Sequence, residues 1–238
     1  MSESPTVVLV HGAFAESSSW TGVLSHLLGR GIAAIATPNH LRSVTTDADN
    51  VRRAVESVGG PVLLVGHSYG GAVITEAAVG SDVVKGLVYV AAFAPDHGET
   101  ALGLTGQFPG STLGETVRPI PLADGTTDLI VDRELFPNQF AGDVPLEDAK
   151  IAAATQRPIR DFALGEPQPA ETPAWKTLPS WFVFGTGDKN IPVEGLRFMA
   201  ERAGSLKTVE IPDASHSVMV SNPEAVADLI VEALAHLS

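Results

Sequence analysis

A serine flanked by glycines follows directly on an apolar run of the chain. Residues 62–65 read VLLV and residues 66–70 read GHSYG, which fits the pattern G-x-S-x-G. Between a strand and a helix this pattern forms a tight, strained turn, and side chains at the two glycine positions would clash with neighbouring backbone. The strain lifts the central hydroxyl to the carboxyl edge of a sheet, where open α/β sheets bind ligands. We therefore predict that Ser68 is a nucleophile rather than part of a plain turn.

A serine hydroxyl is a weak nucleophile at neutral pH and needs a base within hydrogen-bond reach. His216 lies in a loop between the last predicted strand and the last predicted helix. That position returns it to the sheet edge that carries Ser68. A loop histidine is often only a solvated surface residue, but the placement after a strand end favours a general base.

The base needs a carboxylate that holds its tautomer and stabilises the imidazolium. Asp188 follows the predicted strand Ser180–Phe184 and gives the chain order serine, aspartate, histidine that this kind of turn leads us to expect. Asp96, after the preceding strand, is the competing candidate, and an ordinary turn aspartate is the alternative for Asp188. Asp213 is close to His216 in sequence, and we expect it to shape the loop.

The tetrahedral intermediate of acyl transfer needs two hydrogen-bond donors aimed at its oxyanion. We predict the backbone N–H of Tyr69, which follows the nucleophile, and that of Ala13, which follows the first predicted strand. Gly12 is expected to allow close approach at this point, and His11 to be a structural hydrogen-bonding residue.

The elements that must position these residues are apolar strands alternating with amphipathic helices. Continuous apolar strands in this alternation predict a parallel sheet covered on both faces. The predicted strands are Thr6–Val10, Ile32–Ala36, Val62–Val65, Gly86–Ala92, Ser180–Phe184 and Lys207–Ile211, and the predicted helices are Trp20–Arg30, Asp47–Val58, Gly70–Val79, Val193–Ala203 and Pro223–Leu237.

The middle of the chain differs in composition from the rest. It holds much of the proline, many glycines and scattered aromatic side chains, with one helix candidate at Leu146–Gln156 and no clear strand alternation. A structureless loop of this length is unusual, and the α/β pattern resumes at Ser180. We therefore predict a core domain of residues 1–95 and 179–238, and a mainly helical cap subdomain of residues 96–178 over the end of the sheet.

Composition narrows the choice of partners and compartment. The chain has 238 residues, of which 44% are hydrophobic, enough for one large domain with an insertion. Its net charge of −13 repels phosphate backbones and anionic membranes, so we expect neither nucleic acid nor a membrane as a partner. The absence of cysteine excludes disulfides and thiolate sites. The polar N-terminus lacks the apolar region of a signal peptide, so a cytoplasmic location is the default expectation. The sequence leaves open whether the chain forms a homodimer.

Together these residues resemble the α/β-hydrolase superfamily over nearly the whole chain, from Thr6 to Leu237. Within it the chain is similar to the small capped serine esterases related to plant methyl-ester esterases and hydroxynitrile lyases. The similarity is carried by HGAF at residues 11–14, GHSYGG at 66–71, FGTGDKNIP at 184–192, HSVMVSNP at 216–223 and AAATQRP at 152–158. The resemblance implies the α/β-hydrolase fold, a mostly parallel sheet with helices on both faces and a cap.

Two positions distinguish esterases from lyases within this group. The lyases carry a lysine directly after the catalytic histidine and a threonine in the first oxyanion loop, whereas this chain has Ser217 and Gly12 there. A serine cannot supply the charge that stabilises leaving cyanide, so the resemblance implies ester hydrolysis. The serine at position 68 also argues against haloalkane dehalogenases and most epoxide hydrolases of this fold, which use an aspartate.

We therefore expect a serine carboxylesterase that hydrolyses small to medium, mainly apolar esters through an acyl-enzyme on Ser68, without a metal or an organic cofactor. Other chemistry on the same residues (lactone opening, C–C bond cleavage, hydroxynitrile lyase-like cleavage or cofactor-free oxygenation) and a non-catalytic ligand receptor stay open. Each aromatic side chain of the cap can line a pocket or simply hold the cap to the core. Those expected to bind substrate, with Gly12, are Phe14, Phe136, Phe140 and Trp175, and further candidates are Phe108 and Phe162.

Overall fold

Valine and leucine side chains fill the strands of the central sheet, because both faces of that sheet are covered. The computed structural model describes residues 4–237. In chain order its strands are β1 (Thr6–Val10), β2 (Ala34–Thr37), β3 (Val62–His67), β4 (Val84–Val90), β5 (Val117–Pro121), β6 (Thr127–Val131), β7 (Ile159–Arg160), β8 (Ser180–Gly185) and β9 (Lys207–Ile211).

The described residues form a six-stranded sheet in the order β2-β1-β3-β4-β8-β9, and every neighbouring pair is parallel. Every residue of the central strand β3 is buried. Val10 pairs with Gly66, and Gly66 pairs with Tyr89, so β1, β3 and β4 end at the same edge. The predicted parallel sheet is confirmed, with small shifts in the bounds of β2 and β4.

Amphipathic helices connect these strands. The helix α1 (Thr21–Gly29) packs against α11 (Pro223–Leu237), and α2 (Val44–Val58) packs against α3 (Tyr69–Ala77). No helix within residues 4–237 is both long and apolar enough to cross a bilayer. The helix α2 begins at Val44, before the predicted Asp47, because the Ser43 hydroxyl accepts the Thr46 N–H at 3.1 Å as an N-cap. The helices are α1 (Thr21–Gly29), α2 (Val44–Val58), α3 (Tyr69–Ala77), α4 (Ala101–Gln107), α5 (Leu113–Thr116), α6 (Phe136–Phe140), α7 (Leu146–Thr155), α8 (Asp161–Gly165), α9 (Val193–Arg202), α10 (Val218–Ser221) and α11 (Pro223–Leu237).

The segment between β4 and β8 holds the short helices α4 to α8 and a small sheet that the sequence analysis did not predict. This sheet is antiparallel, in the order β5-β6-β7. Its edge strand β5 contains Pro119 and Pro121, which an edge position tolerates because one side of the strand needs no donors. The turn between β5 and β6 contains Gly125 at φ 81 after Asp124, an Asp-Gly pair typical of hairpins.

The outgoing and returning chains of this segment meet in a neck. The Gly98 N–H donates to the Gln168 carbonyl at 3.0 Å, and the Gln168 N–H donates to the Glu99 carbonyl at 2.8 Å. The Arg202 guanidinium binds the Glu99 carboxylate from α9 at 2.7 Å. These bonds join the two ends of the segment and tie them to α9.

Arg42 ties the small sheet to α2. Its guanidinium donates to Asp128 of β6 at 2.7 Å and to the Pro158 carbonyl at 2.9 Å. Its backbone N–H donates to the Asp47 carboxylate of α2 at 3.0 Å. Arg42, which precedes α2 in the chain, therefore connects the small sheet to the buried carboxylate of Asp47.

Candidate active site

Ser68 occupies a strained turn between β3 and α3. Its φ of 53° and ψ of −124° lie in a region that non-glycine residues rarely adopt, at a cost of about 1–3 kcal/mol. The flanking glycines are required sterically. A Cβ on Gly66 would lie 2.6 Å from the Gly70 carbonyl oxygen, and a Cβ on Gly70 would lie 2.6 Å from the Val10 carbonyl oxygen. The close approach of β1, β3 and α3 thus fixes the serine at the sheet edge.

The Ser68 hydroxyl is available to a ligand. The residue is 7% exposed and lines a cavity of about 260 Å³, named here the Ser68 cavity. Within residues 4–237 the hydroxyl has no hydrogen-bond partner. A ligand in the cavity can therefore reach it without breaking an existing bond.

His216 and Asp188 form a buried pair. The imidazole Nδ1 lies 2.6 Å from Asp188 Oδ2, and both side chains are almost fully buried. The other carboxylate oxygen, Oδ1, accepts the backbone N–H groups of Asn190 at 2.7 Å and Ile191 at 2.9 Å. Because a carboxylate only accepts, the proton of the neutral imidazole lies on Nδ1, and Nε2 is left as a proton acceptor.

His67, a residue whose role the sequence analysis did not predict, places His216 beside the Ser68 turn. The His67 Nε2 donates to the His216 carbonyl at 3.1 Å, and the two rings lie 4.7 Å apart between centroids. Burial holds the pKa of His67 well below its ordinary value of 6.5, so this ring stays neutral. The only sequence signal for it was its place directly before Ser68.

The competing acids lie elsewhere. Asp96 accepts from Lys176 Nζ at 2.5 Å, and among the described residues it forms no hydrogen bond or ion pair with His216. Asp213 has φ 58° and its backbone N–H donates to the Thr186 hydroxyl at 2.9 Å, so it shapes the loop before His216 as expected.

Two backbone amides next to Ser68 have no acceptor. Within residues 4–237 neither the Ala13 N–H nor the Tyr69 N–H donates a hydrogen bond, although both residues are buried. Tyr69 is the first residue of α3, where an N–H has no intrahelical partner. Gly12 makes the approach possible, because a Cβ there would lie 2.6 Å from the Ser68 Cβ.

His11 anchors the loop that carries these groups. Its Nε2 accepts the Asn39 N–H at 3.0 Å, and its Nδ1 donates to the Gly12 carbonyl at 2.9 Å. Burial lowers the pKa of His11 to about 4, so the ring is neutral and structural, as the sequence analysis expected.

The Tyr69 side chain anchors the start of α3 from below. Its hydroxyl donates to Asp47 Oδ2 at 3.0 Å in a fully buried position. Burial raises the pKa of the Asp47 carboxyl, and burial together with the Asp47 charge raises the pKa of Tyr69 well above 10. A buried hydrogen bond of the Tyr69 side chain therefore ties the first residue of α3 to α2.

Phe14 and Phe140 separate two cavities. Both residues line the Ser68 cavity and a second cavity of about 220 Å³, and their rings meet edge to face with centroids 6.3 Å apart. Phe14 is held at φ 60°, a strained conformation for a phenylalanine. The ring of Phe140 also meets the His216 ring edge-on at 4.8 Å. The aromatic pair is thus the wall between the cavities and a neighbour of the imidazole.

The other predicted pocket residues lie in different places. Phe136 stacks on Phe140 and lines the second cavity only. Trp175 lines neither cavity, in contrast to the expectation, because its indole N–H donates to the Pro95 carbonyl at 2.9 Å and holds the returning chain to the core. Phe162 is 56% exposed, and Phe108 packs on Phe198.

Ser217 fixes the cap to the loop of His216. Its hydroxyl donates to the Phe140 carbonyl at 2.9 Å, and its backbone N–H donates to the same oxygen at 3.1 Å. The residue after His216 therefore holds α6 in place and brings no charge into the site. Within residues 4–237, no three histidine, cysteine, aspartate or glutamate side chains are grouped as metal ligands would be.

Comparisons with known sequences cover nearly the whole chain. The sequence pattern of the Alpha/beta hydrolase family matches residues 7–229. The chain is 29% identical over 250 residues to the pyrethroid hydrolase of Sphingobium wenxiniae, which covers 95% of this chain and 86% of the relative. It is 24% identical over 241 residues to the alpha-hydroxynitrile lyase of Arabidopsis thaliana, which covers 93% of each.

A solved structure gives the same fold. Polyneuridine aldehyde esterase, a protein of Rauvolfia serpentina, superimposes with a TM-score of 0.81 at 19% identity and covers 97% of this chain and 99% of its own. At this level of identity the similarity shows the arrangement of the elements alone.

Proposed function

The chain belongs to the Alpha/beta hydrolase family, and from this premise we propose that it is a serine carboxylesterase. The proposed substrates are small to medium, mainly apolar carboxylic esters, which react through an acyl-enzyme on Ser68. The observation that carries the proposal is the buried His216–Asp188 pair, whose 2.6 Å hydrogen bond leaves the imidazole Nε2 free to take a proton.

Membership of the Alpha/beta hydrolase family supports an enzyme of the hydrolase class. The resemblance to small capped esterases and to hydroxynitrile lyases is confirmed, since the relatives include a hydrolase, a lyase and an esterase. The names of these relatives describe different reactions, so the choice of reaction for this chain depends on its own site.

In the proposed mechanism, Ser68 Oγ attacks the ester carbonyl carbon while His216 Nε2 takes the hydroxyl proton. The carbonyl oxygen becomes an oxyanion, which the free N–H groups of Ala13 and Tyr69 stabilise. His216 then returns the proton to the leaving alcohol as the C–O bond breaks. Water repeats both steps on the acyl-enzyme and releases the acid, and Asp188 stabilises the imidazolium each time.

The Ser68 cavity supports apolar substrates. Its lining is mostly aliphatic and aromatic, and it encloses about 260 Å³. Residues that give this character are Phe93, Ala101, Leu102, Leu113, Val117, Leu129, Leu164 and Ile191. A neutral ester with a short acyl chain suits such a cavity better than a charged one, because a charge would lose its hydration there.

The position after His216 disfavours lyase chemistry. Ser217 uses its hydroxyl on the Phe140 carbonyl and carries no positive charge. Departing cyanide would have no cation at this point, whereas a departing alcohol takes its proton from His216 and needs none.

The proposal is tested with Ser68→Ala and phenyl acetate. We expect kcat/KM to fall by about 10⁴-fold or more, because the nucleophile is lost while the cavity remains. Wild-type protein should also be labelled stoichiometrically by a fluorophosphonate, and Ser68→Ala should not. The control is Ser18→Ala, which removes an exposed hydroxyl that bonds Glu16 and should keep both labelling and rate. Wild-type hydrolysis by Ser68→Ala would refute the mechanism.

A further inference from the structure

Asn190 carries an unused hydrogen-bond donor at the Ser68 cavity. The residue is 2% exposed and lines that cavity, and its side-chain Nδ2 has no partner in residues 4–237. The other buried side-chain atoms without partners in this part of the chain belong to residues that line neither cavity. A buried amide nitrogen without an acceptor costs about 1–3 kcal/mol, so an unmatched donor at a binding cavity suggests a ligand that matches it.

The orientation of this amide is fixed by a chain of hydrogen bonds. The Gln139 Nε2 donates to the Lys189 carbonyl at 2.9 Å, and a carbonyl can only accept. The same nitrogen donates to Asn190 Oδ1 at 2.8 Å, and Gln139 Oε1 accepts from the Thr112 hydroxyl at 2.9 Å. Asn190 Oδ1 is therefore occupied, and both N–H groups of Nδ2 are left over.

The remaining polar groups of the cavity already use their donors. The Thr105 hydroxyl donates to the Ala101 carbonyl at 2.9 Å, and the Ser111 hydroxyl donates to the Asn190 carbonyl at 2.9 Å. Among the lining side chains only Ser68 and Asn190 keep a free donor, and Ser68 is the proposed nucleophile. One neutral donor in an apolar cavity fixes orientation by pairing with one acceptor oxygen.

We propose that Asn190 is a specificity-determining residue that donates a hydrogen bond to a second oxygen of the substrate. The preferred class is esters that carry an ether or ketone oxygen in addition to the reacting carboxyl group. This proposal rests on the proposed esterase function. It assigns the recognition of that oxygen to the side chain of Asn190, whose backbone N–H also orients the catalytic acid Asp188.

The test compares isosteric phenyl esters, phenyl pentanoate and phenyl 3-methoxypropanoate, by the release of phenol. We expect the wild-type protein to prefer the methoxy ester, and Asn190→Leu to lower the methoxy-to-alkyl ratio of kcat/KM by about tenfold, the worth of one hydrogen bond. The ratio cancels any general loss of rate. Thr105→Val, whose hydroxyl is already bonded to the backbone, should keep the wild-type ratio.

A binding measurement separates the two proposals. In the Ser68→Ala background, 4-methoxybutan-2-one should bind about tenfold more tightly than hexan-2-one by NMR titration, and Asn190→Leu should abolish the difference. If no phenyl ester is hydrolysed but this difference holds, the esterase proposal fails and the role of Asn190 stands. If both ketones bind the Ser68→Ala protein with equal affinity, the role of Asn190 is overturned. An unchanged methoxy-to-alkyl ratio of kcat/KM in Asn190→Leu overturns it as well. If Asn190→Leu does not fold, Asn190→Asp replaces it in both experiments, because it removes the Nδ2 donor and keeps an oxygen that accepts from Gln139.

Discussion

Both carboxylate oxygens of Asp188 accept hydrogen bonds, and these bonds determine how an asparagine at this position would be oriented. Oδ1 accepts two backbone N–H groups, and Oδ2 accepts the His216 Nδ1–H at 2.6 Å. An asparagine would have to turn its oxygen toward the two N–H groups, so its NH₂ group would face the imidazole. Nδ1 would then have to accept, and the proton would move to Nε2.

At the residue scale, we therefore predict that Asp188→Asn lowers kcat for phenyl acetate by about 10⁴-fold, because an Nε2 that carries a proton cannot take one from Ser68. KM should change little, since Asp188 does not line the cavity. Steady-state kinetics measure both values, and Asp96→Asn is the matched control with wild-type rate. If Asp96→Asn loses the activity and Asp188→Asn keeps it, the assignment of the acid is wrong.

Chain position can place some side chains of the candidate site and not others. Ser68, Asp188 and His216 each follow a strand of the parallel sheet, and strand order predicted the pairing of Asp188 with His216 that the structure shows. Trp175 and Asn190 could not be placed in this way. An aromatic or amide side chain carries no mark in sequence of whether it faces a cavity or bonds a neighbouring carbonyl.

At the element scale, the β3–α3 turn leaves no room for a methyl group. A Cβ on Gly66 would lie 2.6 Å from the Gly70 carbonyl oxygen and 2.8 Å from its carbon. Both contacts are with backbone, which cannot rotate away as a side chain could. The turn must therefore open if Gly66 is substituted.

We predict that Gly66→Ala lowers the free energy of unfolding by about 2–4 kcal/mol and kcat/KM by about 10²-fold, because the helix start and Ser68 shift together. Urea denaturation and phenyl acetate hydrolysis measure the two effects. The control is Gly106→Ala in α4, where nothing lies within 4 Å of the added carbon and alanine is the better helix former. Wild-type activity in Gly66→Ala would mean that the turn tolerates a side chain.

Regular alternation of strands and helices made the large parallel sheet predictable, whereas the segment between β4 and β8 lacks such a pattern. The strand β5 is interrupted by Pro119 and Pro121, and β7 has only 2 residues, so neither shows the alternation that marks a strand. The pairing of β6 with β7 joins Leu129 to Ile159 across a helical stretch, which local sequence does not reveal. The Asp124-Gly125 turn was the one local signal of the hairpin.

At the scale of the whole molecule, two buried neutral histidines couple stability to pH. Burial lowers the pKa of His11 to about 4, and it holds the pKa of His67 well below 6.5. In the unfolded chain both rings take up a proton near pH 6.5, whereas in the folded protein they do not. The unfolded state therefore binds more protons below that pH, and acid favours it.

We predict that the free energy of unfolding falls as the pH drops from about 6.5 toward 4, with His11 alone contributing about 3 kcal/mol over that range. The glutamine of His11→Gln can still accept from Asn39 and donate to Gly12. In this variant the slope of the unfolding free energy against pH should correspond to about one proton fewer taken up on unfolding. Urea denaturation at several pH values measures the slope. His40→Gln, at an exposed neighbouring position, should keep the wild-type slope. Equal slopes for wild type and His11→Gln would contradict the prediction.

The neck of two backbone hydrogen bonds between Gln168 and residues 98 and 99 has a consequence for how such a protein can diversify. The chain between these points leaves and returns at one place, so a change of its length away from the contacts with Arg42, Asn190 and Ser217 need not shift the ends of the strands. The segment can therefore gain or lose residues during evolution while Ser68, Asp188 and His216 keep their places. Cavity-lining side chains of this segment can then vary independently of the reacting residues, whereas Asn190, whose backbone N–H bonds Asp188, cannot.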